Sequence, residues 1–157
     1  MTEKAYTGKP EMPTYTVHAP AGTLTAEQKQ RIAKEITRVH NETTGAQTFF
    51  AQVLFADVAP GNWFMGGAPL LDKQMFVHGQ IRGGRSLELK QTLLNRILDV
   101  TTEASGFRRN QTWAYIVELP PALMAEYGHI LPEPGAEAAW LSALPAEDRA
   151  LMEMIGG

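Results

Sequence analysis

The chain states one pattern twice. Thr25, Glu27, Lys29 and Gly45 recur as Ser86, Glu88, Lys90 and Gly106, each 61 residues further on (25 to 86, 45 to 106). In both copies a hydroxyl residue suited to an N-cap opens a run of apolar residues at helical spacing. The run is Ile32, Ile36 and Val39 in the first copy, and Leu87, Leu94, Ile97, Leu98 and Val100 in the second. A glycine closes each run, as it does at many helix C-termini. Strand-like segments flank both: residues 13–19 and Phe49–Ala56, then Met75–Ile81 and Thr112–Leu119,. Two copies are too few for a solenoid. They predict an α/β (α+β) fold made of two fused β-α-β units, about 13–56 and 74–119. A right-handed crossover in each copy gives one four-stranded, mainly parallel sheet with both helices on one face. The other face is left apolar and uncovered, which predicts an oligomer.

The remaining segments are read around that unit. Residues 1–12 are polar and aperiodic, and read as a leader or a mis-called start ahead of the domain at 13–120,. Residues 57–73 hold Pro60, Gly61, Gly66, Gly67 and Pro69, and predict a loop with a short hairpin around Trp63, bordering the pocket,. Residues 121–157 read as a tail on the same domain, with short helices expected at 122–127, 136–144 and 146–155. The absence of cysteine excludes disulfides, thiolate catalysis and zinc–thiolate sites,. A net charge of −3 gives no footprint for nucleic acid,. No signal peptide is visible and no apolar run approaches the roughly 18 residues of a membrane span. The expected location is cytoplasmic, with no membrane partner.

A few residues carry chemistry beyond the scaffold. Arg82-Gly83-Gly84-Arg85 joins a strand to a helix start. Two guanidiniums, flexible backbone and a helix N-terminus form an anion site, better suited to a carboxylate than to phosphate because no Walker pattern is present. His40 falls late on the first helix, and Tyr115 shares a strand face with Trp113 and Val117. Glu126 by itself reads as a surface charge. His18, His78 and His129 lack metal-ligand spacing, so neither a metal nor a cofactor is expected.

Met12-Pro13 is the remaining feature. If Met12 were removed as an initiator, Pro13 would carry a free secondary amine on a rigid ring. Free α-amino groups titrate at about 7.7–8.0, and a nearby cation lowers that further. An internal proline is an amide and has no such basicity.

Several short motifs occur in a joint order that resembles the tautomerase superfamily. They are Pro-Thr-Tyr-Thr at 13–16, Gln-Arg-Ile-Ala at 30–33, Ile-Thr at 36–37 and His40, followed by Ile-Arg-x-Gly-Arg at 81–85. Trp-x-Tyr-Ile-x-Glu at 113–118, Met-x-Glu-Tyr-Gly at 124–128, Glu-Pro-Gly-x-Glu at 133–137 and Trp140 complete the set. The branch it is most similar to is that of the cis-3-chloroacrylic acid dehalogenases. The resemblance implies a homotrimer acting on a small carboxylate without a cofactor. It implies that Pro13, as an N-terminal cation, protonates the α-carbon of an unsaturated acid. His40, Arg82 and Arg85 would hold the carboxylate, while Tyr115 and Glu126 activate water. In tautomerases proper the proline is a neutral base, so enol–keto tautomerisation stands as an alternative. A carboxylate-binding trimer without proline chemistry is the other, should Pro13 remain internal.

Overall fold

The computed structural model describes residues 13–156, so the expected leader lies outside the described residues. The first repeat is β1 (Thr14–Pro20), α1 (Ala26–Thr44) and β2 (Gln52–Val58). A hairpin of β3 (Phe64–Met65) and β4 (Ala68–Pro69) follows it. The second repeat is β5 (Met75–Arg82), α2 (Leu87–Ser105) and β6 (Thr112–Leu119). A tail of β7 (Ala125–Glu126), β8 (His129–Ile130), α3 (Glu137–Ala143) and α4 (Ala146–Gly156) completes the fold.

The repeat read from the sequence is physical. The Thr25 hydroxyl accepts the Gln28 N–H at 3.1 Å and the Gln28 side chain accepts the Thr25 N–H at 2.9 Å, a capping box,. Ser86 accepts the Leu89 N–H at 3.2 Å. Gly45 and Gly106 end the helices at φ 79° and 75°, a left-handed conformation that costs glycine little,. The buried helix faces also keep the offset: Ile32, Ile36, His40 and Thr44 correspond to Leu93, Ile97, Thr101 and Ser105. The leucines at 87 and 94 lie off this line, and Leu87 is exposed. These faces pack on Tyr15, Val17, Met75, Val77 and Ile81 of the sheet. Truncating Ile32 or Ile97 to Ala would cost about 2–5 kcal/mol.

The sheet order is β2-β1-β5-β6. Strands pair in parallel within each repeat, as the crossover helices require, but β1 and β5 meet antiparallel. The sheet is therefore mixed. The two repeats are related by an approximate twofold, and Thr14 at the start of β1 lies opposite Gln80 near the end of β5.

Two local expectations are corrected. The second strand starts at Gln52, after a 3-10 turn at Thr48–Phe50, and is only partly buried. It is an edge strand covered on one face, so apolar composition did not mean full burial. The helix expected at 122–127 is a 3-10 turn at Pro121–Leu123 followed by the β7–β8 hairpin. Its two turn residues, Tyr127 and Gly128, have φ 51° and 82°, the pair of positive values that a tight hairpin turn needs,. Phe50, Leu131, Leu144 and Met152 form a second small core that pins the tail to the first repeat.

Both helices cover one face of the sheet. On the other, Leu54, Trp113, Tyr115 and Val117 are 40–53% exposed. Among the described residues, no helix is long and apolar enough to cross a membrane.

Candidate active site

The antiparallel junction gathers chemistry at one end of the sheet. Pro13 is buried there, and its carbonyl accepts the Gln52 N–H at 3.0 Å. Because α1 runs back along the sheet, its last turns arrive at the same end and bring His40. That side chain is 1% exposed, not a surface histidine. The Tyr15 hydroxyl meets His40 Nδ1 at 2.7 Å. Burial pushes the Tyr15 phenol well above its usual range, so it stays protonated and is the donor,. Burial also drops His40 to about 3, so the ring is neutral,. Accepting at Nδ1 leaves its proton on Nε2. Gly79 makes room for this pair: a Cβ there would lie 2.5 Å from Tyr15 Cε1.

Arg82 ends β5 at the same edge, but its partners are internal. It is 2% exposed. Its Nη2 donates to Glu137 Oε1 at 2.7 Å and its Nη1 to the Pro132 carbonyl at 3.2 Å. Nε has no hydrogen-bond partner among the described residues. Arg85 is half-buried. Burial lowers its guanidinium from the usual value, and the charge of Glu137 opposes that. The glycines between the arginines serve the turn more than a ligand. Gly84 has φ 111°, and its N–H is taken by Glu118 Oε2 at 3.2 Å. Glu118 is also ion-paired to Lys90. The Gly84 N–H is thus not free for a ligand, so the anion site expected from backbone and arginines together would rest on the arginines.

Glu126 is the residue the sequence rated lowest and the structure raises most. It sits on the β7–β8 hairpin and lines a cavity of about 660 Å³ with Thr14, Phe50, Gln52, Leu119 and Tyr127. Burial lifts its carboxyl to about 7, against the opposing charge of Arg82. A carboxyl poised near neutrality can take a proton from water at physiological pH.

Tyr115 does not join this group within one protomer. It pairs with His78, which in turn faces Thr16. Two strand spacings and three residues separate it from Pro13, roughly 14 Å. It belongs instead to a cavity of about 550 Å³ on the open face, with His18, Phe64, Met65, Phe76 and Trp113. The 57–73 loop, expected to border the site, forms the β3–β4 hairpin over this far cavity, because β2 ends at the edge opposite Pro13.

Three contributors escaped the sequence: Tyr15, Gly79 and Glu137. A glycine inside a strand-like run was a usable signal for close approach. Nothing local marked Glu137, which meets Arg82 across 55 residues of sequence. His129 Nε2 is hydrogen-bonded to Asp148 Oδ2 at 2.7 Å. Among the described residues no group of three or more His, Asp or Glu could hold a metal.

A family model described as "Putative oxalocrotonate tautomerase enzyme" (Tautomerase_3) matches residues 12–143. That span covers both repeats and most of the tail, and the chain belongs to this family of the tautomerase superfamily. Within the superfamily its branch is that of the cis-3-chloroacrylic acid dehalogenases. A solved member of that dehalogenase family is 30% identical, with TM-score 0.85; the match covers 90% of this chain and 99% of that one. The native structure of Ps01740 is 31% identical, with TM-score 0.68, over 72% of this chain and 99% of that one. A fused 4-OT solved as a symmetric trimer shares the fold at 17% identity, with TM-score 0.69, over 75% and 94%. No protein of curated function matches the chain.

Proposed function

We propose that this protein adds water to a small α,β-unsaturated monocarboxylate, with a cis-3-haloacrylate as the model substrate. The observation that carries the reading is Glu126, a carboxyl held near 7 in a cavity at the Pro13 end of the sheet. Arg82 and Arg85 bind the substrate carboxylate, and His40 donates to it through Nε2. This withdraws electron density from the β-carbon and opens it to attack. Glu126 takes a proton from water as oxygen bonds to that carbon. Pro13, as an ammonium, protonates the α-carbon. For a 3-chloroacrylate, loss of HCl from the resulting chlorohydrin leaves 3-oxopropanoate.

The reading requires a free amine at Pro13, and so a chain cut after Met12. The start of the family match at Met12 supports that register. It also requires a trimer. Tyr115 is exposed on the open sheet face, far from its own Pro13, so it reaches a site only on a neighbouring copy. The trimeric assembly of the fused 4-OT supports this, as does the apolar open face.

The test is halide release from cis-3-chloroacrylate by a chain beginning at Pro13, beside the full-length chain with its amino-terminal residues intact. Turnover confined to the trimmed chain is expected. Equal turnover by both would remove the proline from the mechanism. No halide from either, with phenylpyruvate enol ketonised by the trimmed chain, would move the assignment to tautomerase.

A further inference from the structure

The tail does more than cover the sheet, because the one acid buried in it among the described residues is spent on Arg82. Glu137 is 5% exposed at the first turn of α3. One oxygen accepts from Arg82 Nη2 at 2.7 Å, and the other accepts the Gly135 N–H at 2.8 Å. Burial alone would raise this carboxyl, but the Arg82 hydrogen bond and nearby backbone donors outweigh it and hold it below its usual value. It is therefore an anion across the working pH range. Pro132, from the same tail segment, takes Nη1 through its carbonyl. Both Nη groups are thus fixed to the tail, while Nε–H is buried with no hydrogen-bond partner among the described residues. A donor in that state is costly unless something completes it. Glu126 feels the charge of Arg82, and Arg85 feels that of Glu137, so both other charged members of the site lie within electrostatic range of this pair.

We propose that Glu137 is a positioning residue that clamps Arg82 by its Nη edge so that Nε–H is presented to the ligand carboxylate. A guanidinium on a long flexible stem otherwise loses orientation entropy each time it binds. The clamp also sets charge. Glu137 offsets one of the two arginine charges, which leaves a single positive charge while Glu126 is protonated and suits a monocarboxylate rather than a dicarboxylate. The inference rests on Arg82 being a carboxylate ligand, as in the function proposed above, but it needs no turnover and no free Pro13.

Its test is binding of propionate, a saturated three-carbon monocarboxylate that cannot react, measured by calorimetry on the full-length chain. Glu137→Ala is expected to weaken binding about tenfold, as lost orienting partners commonly do. Because that variant leaves Arg82 buried and unpaired, it can fail to fold. Glu137→Gln keeps a neutral acceptor for Nη2 and is the deciding variant. Its expected Kd lies between those of wild type and Arg82→Ala, while succinate binds better than it does to wild type. In an Arg82→Ala background Glu137→Gln should weaken propionate binding no further. Wild-type affinity in folded Glu137→Gln, tighter propionate binding, or independent additive losses would each overturn the clamp. So would a wild-type chain that binds no propionate. Absence of halide release with propionate binding intact would count against the hydration reading alone.

Discussion

The two ends of the central sheet share a construction and differ in content. Because β1 and β5 meet antiparallel, each end receives the start of one repeat's first strand and the end of the other's. Each also receives the last turns of one long helix and the first turn of the other. At one end these elements supply Pro13, His40, Arg82 and Arg85. At the other, by the same offset of 61, Thr101 stands where His40 does, and Ala21 and Leu24 stand where the arginines do. The Thr101 hydroxyl donates to the Ile97 carbonyl at 2.7 Å, and Leu24 is buried in the core. That end carries neither histidine nor arginine at these positions. The other collects a neutral histidine, two cations and, from the tail, two carboxylates. Duplication thus made two equivalent positions, and side-chain identity with a tail over one of them made a candidate site.

The largest test of that asymmetry pairs Arg85→Ala with Leu24→Ala. The first should reduce kcat/KM for cis-3-chloroacrylate by about a thousandfold or more, since a charge that stabilises the developing anion is lost. The second should cost about 2–5 kcal/mol of stability and leave kcat/KM within about twofold. Similar losses of turnover from both would erase the distinction between the ends. Next in size is Glu126→Gln, expected to slow turnover by about 10²–10⁴. In the wild type only the ionised Glu126 takes a proton from water, and burial holds its carboxyl at about 7. The rate should therefore fall as pH drops through about 7, and a flat profile from pH 5 to 8 would take Glu126 out of the base role.

A smaller contrast sets Tyr15→Phe against Thr101→Val. Losing the Tyr15 hydroxyl leaves His40 Nδ1 buried without its donor, at a cost of about 1–3 kcal/mol, and frees the tautomer. KM should rise with Tyr15→Phe and stay put with Thr101→Val; denaturant melts and steady-state kinetics read both. Smallest are the caps. Thr25→Ala and Ser86→Ala should each cost about 1 kcal/mol by the same melts. Only Ser86→Ala should also raise KM, because Ser86 anchors the helix directly after Arg85. Equal effects of the two on KM would mean that α2 does not hold the arginine.

Helix limits, caps and the repeat were legible because they are local. A Thr or Ser before an amphipathic run and a glycine after it satisfy backbone groups within a few residues. Four of the six proposed site residues, Pro13, His40, Arg82 and Arg85, gather where two fused repeats would place them. The environment of each was not legible. His40 reads as an ordinary late-helix histidine until Tyr15 meets it from 25 residues away. Arg82 reads as half of an open anion site until the tail supplies Glu137. Glu126 reads as surface charge until the β7–β8 hairpin sets it in the cavity with Thr14 and Gln52. A pKa depends on burial and on neighbours in space, and the spacing of residues along a chain carries neither.

By itself the sequence determined two β-α-β units, their caps, the face the first helix buries and the residue types available for chemistry. Those follow from hydrogen bonding and periodicity over a turn or two. The tertiary structure alone decided that the repeats join antiparallel, which end therefore becomes the candidate site, that Tyr115 lies away from it, and that Arg82 is already held by an acid. The physical reason is range: strand pairing across the centre of the sheet and buried ion pairs depend on contacts between segments tens of residues apart, whose energies no local pattern encodes.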